Sequence, residues 1–191
     1  MRKIFLDCGA WNGCSVRHFR KYYPECAEDY EFFCFEPDPA NLEYLRDVPN
    51  VNVIEKAVSV EDGEKKFYLG DYTESGSLFK NKTTGGVDPN KFITVHTIDL
   101  PRFIKDNFMK DDDFIILKLN VEGAEYDILE AMEKINMLVW IDVYFIQWHW
   151  NKLRGFPKQR HDRVSKLVTS HPWQAMLDDP KHLKQVMDEW C

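Results

Sequence analysis

Hydrophobic runs alternate with amphipathic stretches along most of the chain, a pattern typical of strands that alternate with helices. The runs predicted as strands are residues 4–6, 31–35, 51–60, 65–69, 92–98, 114–119, 137–146 and 173–177. Helical spacing is found at residues 15–19, 40–45, 101–107, 124–129, 159–169 and 181–189. The alternation predicts a single α/β domain over residues 1–191, with a mostly parallel sheet and helices on both faces.

The first strand runs directly into the turn Asp7-Cys8-Gly9-Ala10-Trp11-Asn12-Gly13. Glycines at both ends of this turn let the backbone reverse tightly before a helix, at the sheet edge where open α/β folds bind ligands. The turn lacks the G-x-G-x-x-G pattern of dinucleotide folds and the lysine of a phosphate-binding loop. It therefore predicts a nucleoside ligand without phosphates, such as S-adenosylmethionine. The alternative is an ordinary glycine-rich turn after a buried strand.

The predicted ligand edge carries polar residues suited to that molecule. Asp7 is expected to attract its ammonium group, and the amino end of the following helix its carboxylate. Glu36 follows the second strand, where a carboxylate can accept hydrogen bonds from ribose hydroxyls, although a capping or solvated glutamate is the alternative. Since parallel strands end at one edge, Asp7, Glu36, Asn120 and His149 are expected to meet there.

Composition narrows the class of protein. The chain has 44% hydrophobic residues and a formal net charge of −7, which fits a globular domain and argues against a nucleic-acid partner. The apolar run after Met1-Arg2-Lys3 is too short for a signal peptide, and no run reaches the ~18 apolar residues of a membrane span. Five cysteines without a C-x-x-C pair indicate neither a disulfide framework nor a zinc site. A cytoplasmic location is therefore predicted.

Five stretches, in this order and spacing, carry a resemblance to a known family: FLDCGAWNG (residues 5–13), FEPDP (35–39), EKAVS (55–59), VHTIDL (95–100) and LKLNVEGAE (117–125). The chain resembles the FkbM family of S-adenosylmethionine-dependent methyltransferases. The resemblance implies a Rossmann-like class I methyltransferase fold and O-methylation of a sugar hydroxyl in a glycan or glycoconjugate. The cofactor-binding residues it implies are Asp7, Gly9, Ala10, Asn12, Gly13, Glu36, Pro37, Lys56, Ala57 and Asn120.

The chain departs from the family pattern at Asn120, where members commonly carry aspartate. The change removes a charge that would help to bind a metal, so a divalent metal held by Glu122 and another acid is not favoured. Met1 lies directly before the first strand, so an amino-terminal lid over the site is not expected. Residues 70–90, which read as a long loop, and the carboxyl-terminal third are expected to form the acceptor site.

A sugar hydroxyl is a poor nucleophile at neutral pH, so a positioned base should assist it. His149 is the predicted base, because it follows a strand and is flanked by Trp148 and Trp150, which would stack on a sugar. A structural histidine is the alternative reading of the same residue. The predicted catalytic set is completed by Glu122, the rival base, and Asn120; Asp99 is a further candidate base, and Lys118 and Glu125 are expected to form an ion pair.

Other classes fit less well. A nicotinamide dehydrogenase would show the dinucleotide glycine pattern, and a nucleic-acid methyltransferase would show a basic surface or an N-P-P-Y-like tetrad. Neither feature is present in the sequence. A non-catalytic interaction module that retains the methyltransferase fold stays open as an alternative, because Asn120 is what loss of a catalytic residue would look like.

Overall fold

The computed structural model describes residues 1–171 and is built on a parallel sheet. Its strands, in spatial order, are β3 (Val51–Ile54), β2 (Tyr30–Phe35), β1 (Arg2–Cys8), β7 (Asp113–Leu119), β8 (Val143–Ile146) and β9 (Ser170–His171). All neighbouring pairs in this sheet are parallel. The helices are α1 (Cys14–Tyr22), α2 (Pro39–Arg46), α3 (Leu100–Asn107), α4 (Glu125–Lys134) and α5 (Lys158–Val164).

The helices cover both faces of the sheet, which confirms the predicted architecture. Successive residues of a strand point to opposite faces, and β1 follows this rule: Phe5 packs in a cluster with residues of α1 and α2, whereas Ile4 and Leu6 pack with residues of α3, α4 and α5. Burial on both faces explains why β1 and β7 read as continuous apolar runs. The result is a Rossmann-like sheet whose carboxyl edge is free for a ligand.

A second, smaller sheet departs from the sequence prediction. It consists of β4 (Ala57–Ser59), β6 (Phe92–Asp99) and β5 (Gly63–Tyr68), with β5 antiparallel to β6. The single strand predicted over residues 51–60 is therefore wrong. The chain turns at Glu55 and Lys56, where the Lys56 amide donates to the carbonyl of Ile54 at 2.8 Å, and β4 leaves the main sheet.

Two other element predictions were too long. The apolar run at residues 137–146 contains a 3-10 turn at Leu138–Trp140 before β8 begins at Val143, and this turn follows Asn136, which has a left-handed φ of 54°. Helix α5 ends at Val164 rather than Thr169, since the chain then extends into β9. The strand predicted at residues 173–177 and the helix at 181–189 lie outside the described residues.

Cys26 is disulfide-bonded, although the number and spacing of the cysteines do not indicate a disulfide framework. The absence of a C-x-x-C pair excludes only a bond between cysteines three residues apart in the sequence. Cys8, Cys14 and Cys34 are free thiols, and burial raises the pKa of Cys8 well above its ordinary value.

Within residues 1–171, every helix is too short or too polar to cross a bilayer.

Candidate active site

A cavity of about 470 Å³ lies at the carboxyl edge of the main sheet, within the usual size range of small-molecule sites. Residues that follow β1, β2, β7 and β8 form one side of it, and residues from the 70–90 loop form the other. The predicted site residues on its wall are Gly9, Glu36, Pro37, Ala57, Asn120, Glu122 and His149. The predicted residues that do not reach the wall are Asp7, Ala10, Asn12, Gly13 and Lys56.

Gly9 directly follows β1 and lies against Asn120, which directly follows β7, at the cavity wall. Its φ of 77° lies in the left-handed region, and a Cβ there would stand 2.1 Å from the carbonyl oxygen of Asn120. The Asn120 amide in turn donates to the carbonyl of Cys8 at 3.1 Å. Only glycine accommodates both the conformation and the close approach, so the cavity floor depends on this residue.

Asn12 and Gly13 shape the turn rather than the cavity wall. Gly13 has a φ of 78° and precedes α1, and the Asn12 side chain accepts a hydrogen bond from the Cys14 amide at 3.0 Å. Ala10 is 1% exposed and packs in the core. These residues therefore hold the turn in place without reaching the cavity wall, and their contact with a ligand stays a prediction from the sequence.

Asp7 forms a buried ion pair with Lys118 and does not line the cavity. The Lys118 ammonium lies 2.8 Å from Asp7 Oδ1 and donates to the carbonyl of Gly9 at 2.6 Å. The two side chains are 0% and 2% exposed. The predicted ion pair between Lys118 and Glu125 is therefore wrong, and Lys118, which reaches the cavity wall, is the member of this pair nearer to a ligand.

Glu36 is held rigidly at the end of β2. Its Oε1 accepts from the amide of Asp38 at 2.9 Å and from Asn41 Nδ2 at 3.2 Å, and its Oε2 accepts from the amide of Trp11 at 2.9 Å. Burial raises the pKa of this carboxyl, and the three donors oppose the shift. A carboxylate oxygen can accept two hydrogen bonds, so Oε2 retains a lone pair for a ligand hydroxyl.

Four charged side chains of alternating sign, Lys82, Glu122, His149 and Glu125, lie in a row beside the cavity. Lys82 Nζ is 2.8 Å from Glu122 Oε2, and Glu122 Oε1 is 3.2 Å from His149 Nε2. On the far side of the ring, His149 Nδ1 lies 3.1 Å from Glu125 Oε1, which also accepts from the His149 amide at 2.8 Å. Of these four side chains, Glu122 is the most exposed, at 14%.

This arrangement sets the protonation states. Burial opposes ionisation of Glu122, but its contacts with His149 and Lys82 outweigh burial and lower its pKa to about 2. Burial likewise disfavours the charged ring of His149, but Glu122 and Glu125 outweigh it and raise the pKa to about 9. The raised pKa favours the imidazolium form of His149 at neutral pH, and each ring nitrogen faces a carboxylate, so a general-base role would require this ring to lose its proton first.

Comparison with known proteins identifies the family. A family model described as the methyltransferase FkbM domain matches residues 7–185, which is most of the chain. This chain belongs to the FkbM methyltransferase family. No curated protein and no solved structure matches it significantly. The match confirms the resemblance carried by the five sequence stretches and makes the protein a methyltransferase at the level of the family.

The methyltransferase covers its cavity with the 70–90 loop, which supplies Thr73, Glu74, Gly76 and Leu78 to the wall. Ser77 Oγ in this loop donates to the carbonyl of Glu122 at 2.8 Å, and the buried Lys82 pairs with the Glu122 carboxylate. Glu122 itself has a left-handed φ of 52°. The loop thus holds Glu122 in a conformation that residues other than glycine rarely adopt.

Two further sequence expectations are corrected by the structure. Trp148 and Trp150 do not line the cavity; Trp150 stacks on His161, with ring centroids 5.3 Å apart, and Trp148 packs against Tyr126. Asp99 caps α3 by accepting from the Arg102 amide at 3.0 Å, and it too is absent from the cavity wall. Neither tryptophan is placed to stack on a sugar beside His149, and Asp99 is no longer a candidate base.

The charge on His149 predicts how stability varies with pH. Because folding raises its pKa from 6.5 to about 9, the stabilisation is complete below pH 6.5 and is lost as the pH rises through about 9. Urea denaturation at pH 6 and pH 9 should show a loss on the order of 3 kcal/mol. The control variant His96→Gln, which changes an exposed histidine, should show the same fall in the free energy of unfolding as the wild type. A free energy of unfolding that does not fall over this range would contradict the buried imidazolium.

Proposed function

We propose that this protein transfers the methyl group of S-adenosylmethionine to a hydroxyl oxygen of a sugar, in a glycan or glycoconjugate. The observation that carries the proposal is that two carboxylates from different strands line one cavity. Glu36 follows β2, where a carboxylate can bind ribose hydroxyls, and Glu122, whose lowered pKa favours the ionised form, lies after β7. S-adenosylmethionine supplies the methyl group on a positively charged sulfur. The chain's own residues must bind this donor and orient the hydroxyl.

The cavity fits the cofactor on two counts. Asn120 Oδ1 is buried and accepts no hydrogen bond from any described residue, so the ammonium group of the ligand would satisfy it. Glu36 Oε2 has room for a ribose hydroxyl, and the wall beside it is apolar, formed by Phe35, Pro37 and Ala57, as an adenine ring requires. Asn120 thus supports a cofactor-binding role in place of the family's aspartate.

Glu122 is the group best placed to receive the acceptor hydroxyl. It is ionised at neutral pH and partly exposed on the cavity wall, whereas His149 is buried and enclosed by two carboxylates. Gln147 and Lys152 also line the cavity and would donate to other hydroxyls of a sugar. In this account Glu122 orients the hydroxyl and takes its proton, and His149 fixes the carboxylate in position.

Methyl transfer to a panel of sugars and glycans, measured with methyl-tritiated S-adenosylmethionine, tests this assignment. Glu122→Gln should lower kcat/KM by about 100-fold or more while S-adenosylhomocysteine still binds, and Glu64→Gln, at an exposed carboxylate, should not change it. The pH profile separates the two candidate bases: with Glu122, kcat/KM is constant from pH 6 to 8. If it instead rises through pH 9, neutral His149 is the base.

Neither a metal nor a nucleic-acid partner is part of the proposal. Among residues 1–171 no three metal-binding side chains cluster, and the charges of Glu122 and Glu125 are already balanced by the nearby Lys82 and His149. Activity should therefore survive treatment with EDTA.

The cytoplasmic location stays a prediction from sequence. Cys8, Cys14 and Cys34 are free thiols, but the disulfide at Cys26 is a bond that oxidising compartments favour.

A further inference from the structure

Asn41, on α2, lies on the cavity wall with Glu36, to which it is hydrogen-bonded. The residue is 2% exposed. Its Nδ2 donates to Glu36 Oε1 at 3.2 Å and to the carbonyl of Thr73 at 3.1 Å. Because the amide has two N–H groups, both are used and the orientation of the side chain is fixed.

The other end of this amide has no partner. Asn41 Oδ1 is buried and accepts no hydrogen bond from the part of the chain that the structure describes. Buried carbonyl oxygens are normally paired, and an unpaired one needs an explanation. Since Asn41 lines the cavity, a donor on the ligand is the partner that would satisfy this oxygen.

The neighbouring carboxylate indicates which donor that is. Asn41 Oδ1 and the open acceptor position of Glu36 Oε2 belong to two side chains that are hydrogen-bonded to each other. Two acceptors on neighbouring, hydrogen-bonded side chains that both line the cavity suit two donors on adjacent carbons, as in the vicinal diol of a ribose. We propose that Asn41 is a second ribose-binding residue, which accepts from one hydroxyl while Glu36 accepts from the other. The inference rests on the proposed function, because it takes the ligand to be S-adenosylmethionine.

The covering loop holds this pair of acceptors in place. Trp11 donates from its amide to Glu36 Oε2 and from Nε1 to Thr73 Oγ1 at 3.1 Å, while Asn41 connects Glu36 to the Thr73 carbonyl. Glu36, Asn41, Thr73 and Trp11 therefore form a closed ring of hydrogen bonds. Acceptors fixed in advance lose little freedom when a ligand binds, which favours selection of a ribose over a deoxyribose.

Calorimetry with S-adenosylhomocysteine and its 2′-deoxy and 3′-deoxy analogues tests the proposal. For the wild-type protein, removal of the hydroxyl that meets Asn41 should weaken binding by about tenfold. Asn41→Ala should weaken the binding of S-adenosylhomocysteine by a similar factor. In this variant the same deoxy analogue should bind less than about threefold more weakly than S-adenosylhomocysteine, because the contact is already gone. The control variant Asn107→Ala, at an exposed side chain that donates to the Phe103 carbonyl in its own helix, should bind every analogue as the wild type does.

Several outcomes would overturn the inference. If the loss of affinity caused by Asn41→Ala simply adds to the loss caused by each deoxy analogue, Asn41 has a structural role only. Coupling to the 6-amino group, tested with S-inosylhomocysteine, would assign Asn41 to the adenine instead. If Asn41→Ala does not fold, Asn41→Ser takes its place in the same comparison, and equal binding of all analogues to wild type would suffice to reject the proposal. Failure of wild type to bind S-adenosylhomocysteine would refute the proposed function itself.

Discussion

Replacing Gly9 by alanine is expected to lower the free energy of unfolding by about 3–5 kcal/mol and to abolish measurable binding of S-adenosylhomocysteine. A left-handed φ costs an alanine roughly 1–2 kcal/mol, and a Cβ 2.1 Å from the Asn120 carbonyl oxygen adds an overlap with backbone that a rotamer change cannot relieve. The overlap separates β1 from β7 at the cavity floor. Urea denaturation and calorimetry would measure both losses.

Gly155 provides a matched control. Its φ is also 77°, but a Cβ there would meet no atom within 4 Å. Gly155→Ala should therefore cost only the conformational part, about 1–2 kcal/mol, and should leave ligand affinity unchanged. Equal losses for the two variants would mean that the approach of Gly9 to Asn120 is not what the fold requires.

Replacing Lys118 by methionine is expected to lower the free energy of unfolding by about 3–5 kcal/mol. The substitution leaves Asp7, which is 0% exposed, as a buried carboxylate without its cation. It also removes the donor to the Gly9 carbonyl, so the cavity floor should loosen and S-adenosylhomocysteine should bind more weakly. Chemical denaturation of the purified variant near pH 7 is the measurement.

A second substitution identifies the cause of that loss. If the unpaired charge is responsible, Asp7→Asn in the Lys118→Met background should recover at least half of the stability, because the double variant buries no net charge. Losses that simply add in the double variant would contradict this account. They would indicate that Lys118 stabilises the protein through packing rather than through Asp7.

The sheet edge could be predicted from sequence because it depends on patterns along single strands. Apolar runs ending in Gly9, Glu36 and Asn120 place those residues at the carboxyl ends of parallel strands, and all three reach the cavity. The side-chain pairs could not be predicted in the same way, because they depend on register. Asp7 lies directly opposite Lys118 in the pairing of β1 with β7, and the ion pair between them leaves Asp7 fully buried, whereas Lys118 reaches the cavity wall.

The roles of other residues depend on which loop covers the cavity. Lys82 and Asn41 gave no signal in the sequence, since one lies in a polar loop and the other on an ordinary helix. His149 was noticed for its flanking tryptophans, but its actual partners are Glu122 and Glu125 from another part of the chain. Side-chain partners that are distant in sequence leave no local pattern, so the site's electrostatics emerged only from the folded structure.

A thermal-shift titration with S-adenosylhomocysteine, with NAD in parallel, tests the central claim most directly. A ligand at a hundred times its dissociation constant stabilises the folded state by about 2.7 kcal/mol, which for a domain of this size raises Tm by roughly 5–10 °C. We expect this rise with S-adenosylhomocysteine and none with NAD. No rise with either ligand would contradict the proposed methyltransferase activity in favour of a non-catalytic module, and a rise with NAD alone would mean that the cavity binds a dinucleotide.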